Sequence, residues 1–150
     1  MGAAWSAFQI TAMGILMGID YGVKRIGIAI SNPERTVAVP LKVIEVKPDD
    51  SHVNALGKTI SEYGVDEIVI GMPYNMDGST GMSAENVEKF SERIKVSFRL
   101  PVHFFDERLS TFEAHNLLAS INMDNKKRLK VVDSLAARII LQGYMDSLRP

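Results

Sequence analysis

The sequence contains no cysteine, and this absence excludes two kinds of small protein. Without thiols, the chain can form neither a disulfide scaffold nor a thiolate metal site. A cysteine-free chain fits a reducing compartment, and we expect a cytoplasmic protein. The chain also lacks an excess of either charge, because its formal net charge is −1. Any binding of nucleic acid must therefore use local basic patches or metal ions rather than an overall positive field.

An uninterrupted apolar segment long enough to cross a membrane is also missing. Residues 3–17 are largely apolar, but Ser6, Gln9 and Thr11 interrupt them and no positively charged segment precedes them. This pattern argues against a signal peptide or a membrane anchor, so we expect no association with membranes. Because Met13 and Met17 are alternative starts, we interpret residues 1–13 as a dispensable arm and residues 14–150 as a single domain.

The most informative segment that is present covers residues 18–27. An apolar run ends near Asp20, a tight turn follows at Gly22, and a second apolar run returns at residues 26–30, which predicts a β-hairpin. Aspartate is poorly suited to an apolar strand, so Asp20 needs an explanation. It either opens the turn through hydrogen bonds to the backbone or faces a ligand that the neighbouring glycines allow to come close. This segment alone supports the two interpretations equally.

The rest of the chain alternates between strand and helix patterns. Pro40 interrupts the third strand, and a proline removes a hydrogen bond from the ladder, so that strand should lie at a sheet edge. We predict an α/β fold with a mixed five-stranded sheet in the order 3-2-1-4-5 and helices on both faces. The predicted elements after the hairpin are a strand at 36–46, a helix from Asp50 to Gly64, a strand at 66–71, a loop at 72–81, a helix from Ser83, a strand at 101–105, a helix opened by a Ser110–Glu113 capping box, and a last helix from near Asp133.

Acidic residues converge at one end of the predicted sheet. They are Asp20, then Asp106 or Glu107 after the fifth strand, and Asp133 at the last helix. Carboxylate oxygens suit Mg²⁺ or Mn²⁺, and ions held in this way can promote cleavage of phosphodiesters. Each acid also has a structural explanation, since Asp133 could cap its helix and Glu107 could pair with Arg108. The residues themselves therefore indicate a metal-dependent enzyme or a phosphate binder.

Four motifs in order carry a resemblance to a known family. The chain resembles the YqgF/RuvX family of bacterial RNase H-like nucleases, described as Holliday junction resolvases and as nucleases that mature the 5′ end of pre-16S ribosomal RNA. The resemblance extends from about Gly14 to Tyr144, and no motif position departs from the pattern. The motifs are Gly18-Ile19-Asp20-Tyr21-Gly22 with Arg25-Ile26-Gly27, Ile70-Gly71-Met72-Pro73-Tyr74-Asn75-Met76-Asp77-Gly78, Asp106-Glu107-Arg108-Leu109-Ser110-Thr111, and Asp133-Ser134-Leu135-Ala136-Ala137.

The resemblance implies an RNase H-like fold and catalysis with Mg²⁺ or Mn²⁺. It implies that Asp20, Glu107 and Asp133 are the metal ligands and catalytic acids, with Asp106 as a helper. It also implies that the loop at 71–78, including Asn75, meets the nucleic acid, which would be precursor ribosomal RNA or, alternatively, branched DNA.

Basic residues lie beside each acidic motif and could contact phosphates. The alternative for the run at 126–130 is a solvated loop. The predicted nucleic-acid-binding residues are Lys24, Arg25, Asn75, Arg108, Lys126, Lys127 and Arg128, with Lys130 in the same basic run.

Two other classes of protein compete with a nuclease. A sugar kinase or actin-like ATPase also places an aspartate-and-glycine turn at its phosphate site, but 150 residues leave no room for a second lobe. A non-catalytic nucleic-acid adaptor of the same fold remains open, although the presence of all three acids argues against it. A dinucleotide-binding fold is excluded, because Gly18, Gly22 and Gly27 do not form the required glycine pattern.

Overall fold

A computed structural model describes residues 13–75, 77–108 and 125–149 of the chain. In this part of the chain five strands and three helices alternate in an α/β arrangement. They are β1 (Ile15–Tyr21), β2 (Arg25–Ser31), β3 (Ala38–Glu45), α1 (Ser51–Tyr63), β4 (Val65–Met72), α2 (Met82–Phe98), β5 (Val102–Asp106) and α3 (Asn125–Ser147).

The strands form one sheet in the order β3-β2-β1-β4-β5, which confirms the predicted topology. β1 pairs with β2 in antiparallel and with β4 in parallel orientation, and β5 continues the parallel part. β3 lies at the edge, as Pro40 predicted, and the β2–β3 ladder changes register beside Ile28 and Ala29. The carboxyl ends of β1, β4 and β5 therefore meet at one end of the sheet, where α/β proteins commonly hold ligands.

Each face of the sheet carries its own apolar core, which confirms helices on both faces. Side chains of β1, β2 and β4 pack on one face against α1 and α2, around Leu56 and Ile94. On the other face α3 packs through Ala137, Ile140 and Leu141. Complete burial of a side chain such as Leu141 contributes roughly 1.5–3 kcal/mol to folding. Within the described residues, every helix is too short or too polar to span a bilayer.

Two local predictions from the sequence are wrong. The last helix begins at Asn125 rather than near Asp133, so Asp133 lies inside α3 and does not cap it. Asp50 stands at the start of α1 with a φ of 64°, but its side chain makes no capping hydrogen bond. Its carboxylate instead pairs with Arg93 of α2, 2.8 Å away, and so ties the two helices together. The predicted capping box of Ser110 and Glu113 lies outside the described residues.

Candidate active site

Strand periodicity places the first two predicted acids on the same face of the sheet. Leu16 of β1 and Phe105 of β5 both face α3, and side chains two residues apart on a strand share a face. Asp20 lies four residues after Leu16, and Glu107 lies two residues after Phe105. Both therefore project towards α3, whereas Asp106 has the opposite parity.

Glycines on both neighbouring strands make room beside Asp20. Gly27 of β2 lies directly across the ladder from Asp20. On the other side Ile19 pairs with Ile70, so the next residues along these strands are Asp20 and Gly71. A Cβ on Gly71 would stand 2.3 Å from Oε2 of Glu107, closer than two such atoms can approach. The absence of a side chain at Gly71 is thus what allows the Glu107 carboxyl to fold over β4 towards Asp20.

The carboxyl groups of Asp20 and Glu107 are hydrogen-bonded to each other. Burial raises the pKa of Asp20 to about 6; the bond to Glu107 opposes this rise and the negative charge of Asp133 adds to it. Burial also raises the pKa of Glu107 to about 8, helped by the charge of Asp20 and the hydrogen bond to it. Two like charges in a poorly solvated place cannot both ionise easily, so near neutral pH the pair retains one proton.

Asp133 reaches the same region from α3. Its backbone carbonyl oxygen lies against β2, 2.0 Å from where a Cβ on Gly27 would stand. Its carboxylate accepts a hydrogen bond of 2.6 Å from Nε of Arg25, in an ion pair whose side chains are 19% and 32% exposed, respectively. The structure therefore brings Asp133 within electrostatic range of Asp20 but directs its carboxylate to a guanidinium.

The donor set fits a hard divalent cation. Two carboxyl groups that share a proton can exchange it for a cation, because a cation relieves the repulsion that raises their pKa values. Mg²⁺ commonly uses only one or two carboxylates and keeps water or substrate oxygens as its other ligands. Among the residues described, no three acidic or histidine side chains converge closely enough to hold a metal together. The pair of Asp20 and Glu107 could therefore hold the ion, and Asp133 would have to leave Arg25 to join it.

Asp106 belongs to a different arrangement from Glu107. Its carboxylate accepts hydrogen bonds from Nε of Arg108 at 2.9 Å and from a terminal guanidinium nitrogen at 2.5 Å. The bonds to Arg108 lower the pKa of Asp106 below its usual range. The guanidinium carbon also lies 5.8 Å from the ring centre of Tyr74. Arg108 therefore pairs with Asp106, and not with Glu107 as the structural alternative proposed.

The remaining residues that were predicted to contact nucleic acid lie in a loop, in a turn and on a helix. Asn75 is in the loop after β4, where its side-chain amide donates to the hydroxyl of Ser79 at 3.1 Å. Lys24 is exposed in the turn between β1 and β2. Lys126, Lys127 and Arg128 lie in the first turn of α3, on a helix and not in the loop that was the alternative. Their side chains fall outside the described part of the chain.

Sequence reasoning missed the structural partners of the acids. The roles of Gly27 and Gly71 could have been found, because glycines beside Asp20 on strands of known order mark a close approach by other groups. Side chains alternate between the two faces of a strand, so counting from Phe105 would likewise have placed Glu107, and not Asp106, on the face towards α3. The ion pair of Arg25 with Asp133 joins residues 108 positions apart, and no local pattern predicts it.

The sheet, with this strand order and the acids at the carboxyl ends of its parallel strands, has an RNase H-like fold. Solved structures of the same fold support this. A fowlpox virus resolvase in complex with Holliday junction DNA matches with a TM-score of 0.53 at 14% identity, covering 91% of this chain and 99% of that one. The RuvC protein of T. thermophilus in complex with a Holliday junction substrate matches with a TM-score of 0.50 at 11% identity, covering 88% and 96%.

The sequence comparisons identify the family. The profile described as "RuvX: Holliday junction resolvase" matches residues 14–147. A protein of Desulforamulus reducens named "Putative pre-16S rRNA nuclease" is 44% identical over 132 residues, which are 88% of this chain and 96% of that protein. A protein of Geobacillus thermodenitrificans with the same name is 42% identical over 135 residues, 89% of this chain and 98% of that one. The chain belongs to the RuvX family, and it is a nuclease, a hydrolase of phosphodiester bonds.

Proposed function

We propose that this nuclease matures the 5′ end of precursor 16S ribosomal RNA, using Mg²⁺ or Mn²⁺ held by Asp20, Glu107 and Asp133. The observation that carries the proposal is the approach of the Glu107 carboxyl group over Gly71 towards Asp20, in a place where burial raises the pKa of both groups. A partly buried pair of carboxyl groups is costly to maintain, and neither side chain is needed to close a turn or cap a helix in the described chain. Such pairs are typical of functional sites.

The chemistry of the site assigns a different task to each residue. When bound, a divalent cation would supply Lewis-acid stabilisation of the phosphodiester oxygens and lower the pKa of a water molecule. Glu107 and Asp20 together retain one proton near neutral pH, and this proton would be released if the two carboxyl groups bound a cation. Asp20, on the central strand, provides the most rigidly placed carboxylate, because β2 and β4 flank it on both sides. Asp133 would supply a third carboxylate ligand once it separates from Arg25.

Basic and amide side chains around the acids are proposed to position the strand. Their contacts would fix the register of the backbone without selecting a base sequence. Arg108 lies next to Glu107 and the loop at 71–78, and Lys24 lies in the turn that follows Asp20. The proposed nucleic-acid-binding residues are Lys24, Arg25, Asn75, Arg108, Lys126, Lys127 and Arg128.

Two substrates deserve a direct comparison. The names of relatives at 42–44% identity over nearly their whole length support precursor 16S RNA. The description of the family profile supports a Holliday junction, a four-way DNA structure, as the second candidate. Both are structured nucleic acids that carry the same phosphodiester chemistry.

We also propose a cytoplasmic site of action, a domain at residues 14–150, and a dispensable arm at residues 1–13. The profile match from residue 14 supports the boundary.

The test is a cleavage assay that offers both substrates to one preparation of the protein. An RNA that spans the 5′ end of the 16S precursor and a four-way DNA junction are incubated with Mn²⁺ or with EDTA. We expect metal-dependent cleavage of the RNA by the native protein and none by Asp20→Asn, because the amide keeps the shape but lacks the charge. Asp146→Asn is the control, since Asp146 lies 13 positions along α3 from Asp133, about 20 Å away.

The outcomes of this assay separate the alternatives. Exclusive cleavage of the junction would replace the RNA proposal with the resolvase. Binding of both substrates without cleavage would indicate a nucleic-acid adaptor. Full activity of a folded Asp20→Asn variant would remove Asp20 from the active site.

A further inference from the structure

The ion pair between Arg25 and Asp133 connects two residues that were assigned to different tasks. Arg25 was expected to contact phosphate and Asp133 to bind metal, yet the two side chains contact each other at 2.6 Å. Both are partly buried, so water screens the pair less than a fully exposed one. Each partner therefore reduces the availability of the other for its own ligand.

This pairing also offsets the electrostatic repulsion among the carboxylates of the site. Without a cation, the charge of Asp133 already acts on Asp20 and raises its pKa. A third uncompensated carboxylate beside Asp20 and Glu107 would increase the repulsion further. Arg25 supplies the missing positive charge from the first residue of β2, on the side of the acids opposite to Glu107.

A groove beside Arg25 shows where its other ligand would lie. The groove has a volume of about 610 Å³ and runs between β3 and α3. The β2–β3 register places Val43 across from Gly27 and Glu45 across from Arg25, so the groove adjoins the acids across the sheet. Leu41 and Val43 give it an apolar wall, and Arg25 and Lys42 give it two cationic groups. Glu45 adds one carboxylate to the lining, and this carboxylate pairs with Lys47 at 2.9 Å. A nucleotide, with an apolar base face and an anionic phosphate, matches this combination.

We propose that Arg25 couples strand binding to metal binding: it neutralises Asp133 in the resting site and moves to a backbone phosphate in the groove when the strand arrives. The proposal rests on the metal site proposed above. Guanidinium groups bind carboxylates and phosphates with the same planar geometry, so this exchange replaces one charged partner by another. Asp133 is then released towards the cation. Because coupling between two ligands is reciprocal, the cation should tighten strand binding by the same factor.

The test measures metal binding itself by titration calorimetry, without a cleavage readout. Mn²⁺ is titrated into the native protein, Arg25→Gln and Lys24→Gln in the absence of nucleic acid. Lys24→Gln is the matched control, because it removes one positive charge at the neighbouring position, where the side chain is exposed. We expect Arg25→Gln to bind Mn²⁺ roughly 3- to 10-fold more tightly than Lys24→Gln, from the loss of one partly buried ion pair. Arg25→Lys keeps the charge and should fall between the two.

A second arm measures the coupling. Ca²⁺ replaces Mn²⁺, to keep a short uridine oligonucleotide intact, and the cation is titrated with and without this strand. The strand should tighten cation binding to the native protein and to Lys58→Gln, a control that removes one positive charge from an exposed side chain of α1, and this gain should vanish in Arg25→Gln. Circular dichroism and thermal melting confirm that each variant is folded before titration.

The titrations distinguish failure of the coupling proposal from failure of the metal site on which it rests. If Arg25→Gln binds Mn²⁺ no more tightly than Lys24→Gln, or retains the full gain from the strand, the coupling role of Arg25 is wrong. Asp20→Asn, titrated in parallel, tests the site on which the proposal rests. Native affinity in Asp20→Asn would overturn the metal site and the coupling together. Lost affinity in Asp20→Asn with no effect of Arg25→Gln would overturn the coupling alone.

Discussion

The backbone carbonyl oxygen of Asp133 lies 2.0 Å from the point at which a Cβ on Gly27 would stand. Helix α3 can approach β2 this closely only because position 27 carries no side chain. The same ladder sets Gly27 opposite Asp20, so one glycine fixes the distance between a strand acid and a helix acid. The distance between Asp20 and Asp133 thus depends on the contact between the backbones of α3 and β2 as well as on the acidic side chains.

Gly27→Ala should therefore destabilise the protein and displace α3. The methyl group would overlap backbone atoms that cannot move independently, and overpacking of this kind costs roughly 1–3 kcal/mol or more. Gly57→Ala is the matched control, because there the new methyl group meets only the rim of the Phe98 ring and replaces a glycine inside α1. Urea denaturation of both variants measures the difference. Equal free energies of unfolding would contradict the close packing of α3 on Gly27.

Glu107→Gln should abolish the stabilisation that Mn²⁺ gives to the native protein, while Asp106→Asn should retain it. Binding of a ligand to the native state raises the melting temperature by mass action, so the shift reports an intact site. Asp106 is already occupied by Arg108 and points away from Asp20, whereas Glu107 touches Asp20. Asp133→Asn should reduce the shift without removing it. Thermal melting with and without Mn²⁺ measures all three, and an equal loss in the Asp106 and Glu107 variants would contradict the division of roles.

The metal-free protein should lose stability as the pH rises from about 4 to about 8. The folded-state pKa values of Asp20 and Glu107, about 6 and about 8, lie above those of unfolded carboxyl groups. The native state therefore binds more protons than the unfolded state in this interval, and the free energy of unfolding must fall there. Because one pKa unit corresponds to about 1.4 kcal/mol, the expected loss amounts to several kcal/mol.

Urea denaturation in EDTA at pH 5 and pH 8 measures this loss. The double variant Asp20→Asn with Glu107→Gln should show little of it. A native protein that is more stable at pH 8 than at pH 5 would contradict the raised pKa values.

Binding of a single strand should depend strongly on salt despite the net charge of −1. Each neutralised phosphate contributes a slope of about −0.7 to log K against log salt on single strands. If Lys126, Lys127, Arg128 and Lys130 contact phosphates, changing all four to alanine should flatten the slope by roughly two to three units. A salt series in Ca²⁺ measures both proteins, and identical slopes would mean that this part of α3 is only solvated.

The fold was predictable because its signals are local. Pro40 marked an edge strand, the run at 68–70 marked a buried parallel strand, and both lie where they were predicted. The start of α3 was not predictable in the same way, because residues 125–130 are polar and basic and show no apolar period. The sequence at these positions has no apolar periodicity from which a helix could be predicted.

The site was only partly predictable, because some of the contacts that arrange it join residues that are distant in the sequence. Aspartate at the end of an apolar strand is a visible anomaly, and the sequence predicted that Asp20 and either Asp106 or Glu107 lie at the same end of the sheet. The orientation of Asp133 depends on a guanidinium from a distant strand and on the depth to which α3 sinks over Gly27. Both are tertiary effects that no spacing in the sequence encodes.

The most direct measurement of the central claim is the anomalous difference map of a crystal soaked in Mn²⁺, collected at the manganese absorption edge. The account predicts a peak bound by carboxylate oxygens of both Asp20 and Glu107, at about 2.0–2.2 Å from each, and no such peak in Asp20→Asn. A soaked crystal in which manganese binds elsewhere and leaves Asp20 and Glu107 hydrogen-bonded to each other would contradict it.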